Sequence, residues 1–248
     1  MLHSTREYQM SRNMNTRRSL YIICLLLLSA VGNKLDAQTV VKSVRQANDS
    51  TNHALIHQIG FDVRPGYVAP TNSFLEGDNA QRQKIDRSLS LHLKYAFQFS
   101  KDSYLGRLYP HAYQGIGVSH NTFYNSAELG NPVAVYAFQG APIVRLSSCL
   151  SLDYEWNFGA SFGWKQYDEH SNWYNDAIGS KINAYINLGF VLNWQFYPQW
   201  KLAAGVDFTH FSNGNTRYPN GGLNTIGGRV GIVPVSYTHL TLPTICSV

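Results

Sequence analysis

Near the end of the chain, three side chains fall at a spacing that could make a hydrolytic nucleophile. Thr209-His210-Phe211-Ser212-Asn213-Gly214 is followed by Pro219-Asn220-Gly221-Gly222-Leu223-Asn224. A serine hydroxyl attacks well only when a neighbouring base takes its proton and a third group holds that base in the right tautomer. His210 and Ser212 are two residues apart, so on a strand they share one face. The chemistry allowed is attack by Ser212, proton uptake by His210 and orientation of the imidazole by Asn224. Alone, the segment reads better as a polar strand end closed by an Asn-Gly turn, so the surrounding elements must decide.

The elements alternate with period two. Leu202, Ala204, Val206 and Phe208 form an apolar row that His210 and Ser212 continue. Across the turn, Asn224, Ile226, Val230 and Ile232 share one parity, which sets Asn224 opposite the His–Ser pair if the two strands form a hairpin. Ser88–Ser100, Leu150–Trp164 and Lys181–Phe196 alternate in the same way: Leu89, Leu91, Leu93, Tyr95 and Phe97 in the first, Leu152 through Phe162 to Trp164 in the second, and Ile182, Ile186, Leu188 and Phe190 in the third. Weaker candidates are Ala54–Ala69, Ala112–Asn121 and Pro132–Val144, and Trp200–Asn213 and Leu223–Val233 complete the set. That makes eight strands, several of them longer than the roughly 5–6 residues of a globular strand and long enough to cross a bilayer at a tilt.

Composition separates a barrel in lipid from a soluble sandwich. Only 14% of the 248 residues are charged and 13% are aromatic, whereas an average soluble domain is roughly 25% charged. The polar rows carry Ser, Asn, Gly and Gln more than Lys or Glu, unlike a wet surface. The expectation is an all-β chain, an eight-stranded antiparallel transmembrane β-barrel with its interior filled by side chains. His210, Ser212 and Asn224 would then face lipid. Glu155 and Asp207 would point inward and could not replace Asn224.

Both ends are set apart. Arg17-Arg18, the apolar run Leu20–Val31 and Ala37 have the layout of a signal peptide, residues 1–37, cut after Ala37. Residues 38–234 form the barrel domain. Val235–Val248 (VSYTHLTLPTICSV) resembles a translated sequencing adapter and is set aside, which leaves the last strand truncated. The formal charge of +5 falls to 15 basic and 13 acidic residues once the leader is removed. With no basic cluster, no nucleic-acid partner is expected. His92, His111 and His120 lack metal-ligand spacing, and Tyr113-Gln114-Gly115-Ile116-Gly117 has no helix after it to make a dinucleotide loop, so neither metal nor cofactor is expected.

HFSNG with PNGGLN resembles the outer-membrane lipid A 3-O-deacylases of the PagL type, whose pattern is a His-x-Ser-Asn strand end, a Pro/Asn/Gly-rich turn and then an acidic residue. The likeness is strongest over about Ala203–Ile232, and the chain is also similar to the larger Bacteroidetes acyloxyacyl hydrolases. It implies an eight-stranded barrel in the outer membrane of a Gram-negative bacterium and a serine esterase that removes an acyl chain from lipid A. By matching position Ser212 is the nucleophile, His210 the base and Asn213 an oxyanion-hole contributor. The substrate is lipopolysaccharide, among outer-membrane lipids, and a homodimer is left open. Asn224 stands where the family has Glu; it can orient the imidazole but brings no negative charge. Arg217 and Arg229 are candidates for lipid A phosphates or, equally, lumenal charges. The competing reading is a non-catalytic structural or adhesive barrel.

Overall fold

The computed structural model describes residues 55–237. The signal-peptide reading falls outside them, as does the tail from residue 238. Eight strands follow one another as β1 (Leu55–Val68), β2 (Arg87–Phe99), β3 (Tyr113–Thr122), β4 (Gly130–Arg145), β5 (Leu150–Trp164), β6 (Ile182–Tyr197), β7 (Trp200–Ser212) and β8 (Leu223–Tyr237). Short helices α1 (Ser73–Glu76) and α2 (Tyr104–Leu108) interrupt the first two connections. Neighbouring strands pair antiparallel and β8 closes on β1, making a closed barrel with no free edge. The last strand is not truncated: β8 runs through Val235 to Tyr237, which pairs with Ile56. Ladder bonds are made by the main chain, so those three residues complete the wall whatever their side chains.

The two faces of the wall settle which side meets lipid. Val206 and Phe208 are 57% and 46% exposed, while Asp207 between them is 6% exposed. Ile59, Leu93, Ile116, Val135, Phe158, Leu188, Ile226 and Val230 continue the exposed band around the barrel. Inside are Asp62, Arg64, Lys94, Glu155, Asp207 and Arg229, all buried. A soluble sandwich would have the opposite polarity. One parity expectation fails. Trp164 shares its alternation with Phe162, yet it turns inward and is buried while Phe162 stays exposed. Gly163 lies between them at φ +88°, a left-handed conformation that suits glycine and reverses the next side chain.

The six interior charges form one neutral cluster. Arg64 and Lys94 reach Asp62 at 2.8 and 2.9 Å, Arg229 reaches Glu155 at 2.6 Å and grips both oxygens of Asp207, and Lys94 touches Glu155 at 3.2 Å. Of the two roles the sequence leaves open for Arg229, lipid phosphate contact or lumenal charge, the buried position gives the second. Above this layer Val68, Phe74, Leu75, Phe123, Leu129, Trp164, Ile178, Tyr185, Phe211 and Leu223 make an apolar cap.

The connections differ between the two ends. Residues 69–86, 123–129, 165–181 and 213–222 lie at one end; 100–112, 146–149 and 198–199 lie at the other, with both ends of the described chain. Outer-membrane barrels keep short turns inside the cell envelope and long loops outside. At the short-turn end, Arg145 Nη1 lies 2.6 Å from Nε2 of His111. Burial, then Arg145, Lys101 and Lys201, pull the His111 pKa down to about 4. The imidazole is thus a neutral acceptor. Because the folded value lies below the unfolded one, protonation opposes the fold, and the stabilising contact is lost as pH falls from about 6.5 toward 4. An NMR titration of His111 is expected to give a midpoint near 4 in the native protein and a clearly higher one in Arg145→Ala. A midpoint that does not move would show that Arg145 has no part in it.

Candidate active site at a strand end

β7 rises out of the apolar band toward the long-loop end, and its register pairs His210 with Asn224 on β8 and with Ile186 on β6. The outward row therefore reads Phe208, His210, Ser212. His210 Nδ1 is 2.7 Å from Asn224 Oδ1, and Nε2 is 2.9 Å from Ser212 Oγ. An amide oxygen only accepts, so this arrangement gives Nδ1 the proton and leaves the Nε2 lone pair to receive the serine O–H. An asparagine can also turn its NH2 toward Nδ1 and select the other tautomer; an ionised glutamate cannot. All three side chains are half-buried. Below them the wall offers Ile186, Phe208 and Ile226, all exposed, as a surface for hydrocarbon.

Alternation that turns these polar groups outward turns Phe211 and Leu223 inward. Phe211 packs against Trp164, Tyr185 and Phe123 with ring centroids 5.1, 5.4 and 5.9 Å away. Three aromatic partners and complete burial fix the strand from behind, which is what a hydrogen-bonded trio needs to keep its geometry.

The β7–β8 turn is also tied down. The Asn213 backbone N–H donates to Asn220 Oδ1 at 3.0 Å, and its Nδ2 donates to the Arg217 carbonyl at 2.6 Å. Asn213 is buried, and beyond these two bonds it has one further Nδ2 hydrogen to donate. Gly221 and Gly222 donate to the carbonyls of Asp176 and Ala177 at 2.9 and 3.0 Å, docking the turn on the β5–β6 connection. Asn175 stiffens that connection: its Oδ1 accepts from Ala177 and Ile178, and its Nδ2 donates to the carbonyls of Glu128 and Lys165. Sequence reading missed this clamp. Its only signal was Asn172, Asn175 and Gly179, in a stretch that reads simply as loop. Arg217 is exposed on the turn, and Glu155 and Asp207 are inside the barrel.

Gly222 lies against the edge of the trio. It sits at φ +70°, and a Cβ there would lie 3.4 Å from His210 Cε1 and 3.3 Å from the Phe211 carbonyl oxygen. Gly222→Ala would strain the backbone by about 1 kcal/mol and press on the imidazole edge. The expected result is a loss of activity on the order of tenfold with the barrel still folded. Unchanged turnover would show that the ring tolerates displacement.

The outward apolar band, the charged interior and the closed antiparallel order define the chain as a small transmembrane β-barrel. Its sequence matches the lipid A 3-O-deacylase (PagL) family over residues 90–233, more than half of the chain and all of β3 to β7, and the chain belongs to that family. With the family comes its place in the Gram-negative outer membrane. Among solved structures, Neisserial surface protein A is 7% identical with a TM-score of 0.45, covering 72% of this chain and 96% of its own. The outer-membrane enzyme PagL is 12% identical with a TM-score of 0.42, covering 69% and 97%. The N-terminal β-barrel domain of Pseudomonas aeruginosa OprF is 10% identical with a TM-score of 0.39, covering 71% and 96%. No curated protein matches the sequence.

Proposed function

We propose that this protein is an outer-membrane serine esterase that removes the ester-linked acyl chain at the 3-position of lipid A. The observation that carries the reading is the hydrogen-bonded line Asn224–His210–Ser212 on the lipid-facing row, at the long-loop end of the wall. That end faces the outer leaflet, where lipid A resides. A barrel serving only structure or adhesion has no use for such a line among exposed apolar side chains, where unpaired polar groups are costly.

Lipid A lies against the wall with an acyl chain along Ile186, Phe208 and Ile226, and its ester bond at the height of Ser212. Ser212 Oγ passes its proton to His210 Nε2 and attacks the ester carbonyl. The remaining Nδ2 hydrogen of Asn213 supports the oxyanion. The intermediate collapses, the bond to the sugar oxygen breaks, and His210 returns its proton to that oxygen. Water then enters, His210 deprotonates it, and its attack frees the fatty acid and restores Ser212. Beyond the ester, only water is consumed, and the side chains are regenerated.

The test is to express the full chain in a Gram-negative host with no deacylase of its own and to weigh its lipid A by mass spectrometry. The expected product has lost the mass of one ester-linked acyl chain. Lipid A identical to that of the empty host, with the barrel present in the outer membrane, would overturn the proposal in favour of a non-catalytic barrel.

A further inference from the structure

At the short-turn end, beneath the charged cluster, the barrel encloses a cavity of about 120 Å³. That is room for a small anion and water, not for a lipid chain. Its wall includes Lys94, Arg145, Asp153, Glu155, Lys201 and Arg229. Glu155 is already committed to Lys94 and Arg229. Among the described residues, Lys201 and Arg145 have no carboxylate within ion-pair distance. Arg145 spends two N–H groups on the neutral His111 ring and on the Ser148 carbonyl at 3.0 Å, and a guanidinium has five. Two cations thus face the cavity, and Asp153 is the one carboxylate of its lining not already committed to the charged cluster.

A second observation is of the opposite sign. Asp153 is 4% exposed. One of its oxygens accepts from Asn193 Nδ2 at 2.8 Å, and the other, Oδ1, has no partner. An orphaned carboxylate oxygen at that depth calls for a donor. A ligand meeting both requirements carries negative oxygens for Lys201 and Arg145 and one O–H for Asp153.

We propose that this cavity binds a proton-bearing oxyanion, monohydrogen phosphate or a phosphomonoester, with its charged oxygens on Lys201 and Arg145 and its P–OH donated to Asp153 Oδ1. Sulfate has the same shape but no proton at neutral pH, so it would set a bare oxygen against the Asp153 carboxylate. The site is independent of the esterase reading, since it opens at the other end of the barrel.

The full-length protein in detergent micelles is titrated at pH 7 with inorganic phosphate, glycerol 3-phosphate and sulfate, followed by calorimetry. At least one phosphate probe is expected to bind saturably at one site, and sulfate at least tenfold more weakly. Saturation by inorganic phosphate alone assigns the free ion, and saturation by glycerol 3-phosphate alone assigns an ester. Lys201→Gln is expected to weaken binding tenfold or more. Asp153→Asn is expected to abolish the preference over sulfate, and Ser212→Ala to leave binding unchanged. Unaltered heat-modifiable mobility on gels verifies that each variant barrel is folded. Absence of saturation, equal affinity for sulfate in the native protein, or native affinity in folded Lys201→Gln would each overturn the proposal.

Discussion

Replacing Ser212 with alanine is expected to leave a folded barrel that removes no measurable acyl chain, a fall of about a thousandfold or more in turnover. The hydroxyl is half-buried on the outward row and contacts His210 Nε2 at 2.9 Å. Deleting it opens no core cavity, so stability should change by less than about 1 kcal/mol. His210→Ala should cost nearly as much, and the double variant little more than either, because base and nucleophile act as one unit. Lipid A mass spectrometry in cells, with gel mobility as the folding control, reads all three. Deacylation by folded Ser212→Ala would remove this serine from the mechanism and send the search elsewhere on the wall.

The second large effect runs the other way. Asn224→Glu is expected to raise turnover by about tenfold to a thousandfold. In a Ser-His-Asp hydrolase, exchanging the carboxylate for its amide is costly because the tautomer is no longer enforced and the imidazolium loses its counter-charge. Here the native residue is the amide, 2.7 Å from Nδ1, so the exchange restores both. A rate that stays level or falls would show that residue 224 does not orient the base.

Much of this site could be read from the chain before any coordinates. Alternation in Leu202–Phe208 fixed the face of His210 and Ser212, and a hairpin of two such strands needed only its register to place Asn224 opposite. Turn glycines and the parity of Ile226 and Val230 were enough for that. Parity fails where the backbone leaves the extended region, as at Gly163, because one left-handed residue exchanges the faces of all that follow. The interior charges were legible as residues but not as a cluster. Asp62, Lys94, Glu155, Asp207 and Arg229 come from five strands, and only barrel closure and stagger bring them to one height. The loop clamp was illegible for a related reason: main-chain carbonyls such as those of Asp176 and Ala177 have no sequence signature.

The neutral layer of three acids and three bases also bears on how this protein reaches its membrane. Several of its ion pairs join strands that are not neighbours, Arg64 with Asp207 and both Lys94 and Arg229 with Glu155. A sheet inserted strand by strand would bare ionised groups and unpaired ladder amides to hydrocarbon, each at a cost of several kcal/mol. Curling must therefore keep pace with insertion, and the greasy exterior can shed water only as the lumen seals. The wall that carries Ser212 is thus delivered to the bilayer already assembled.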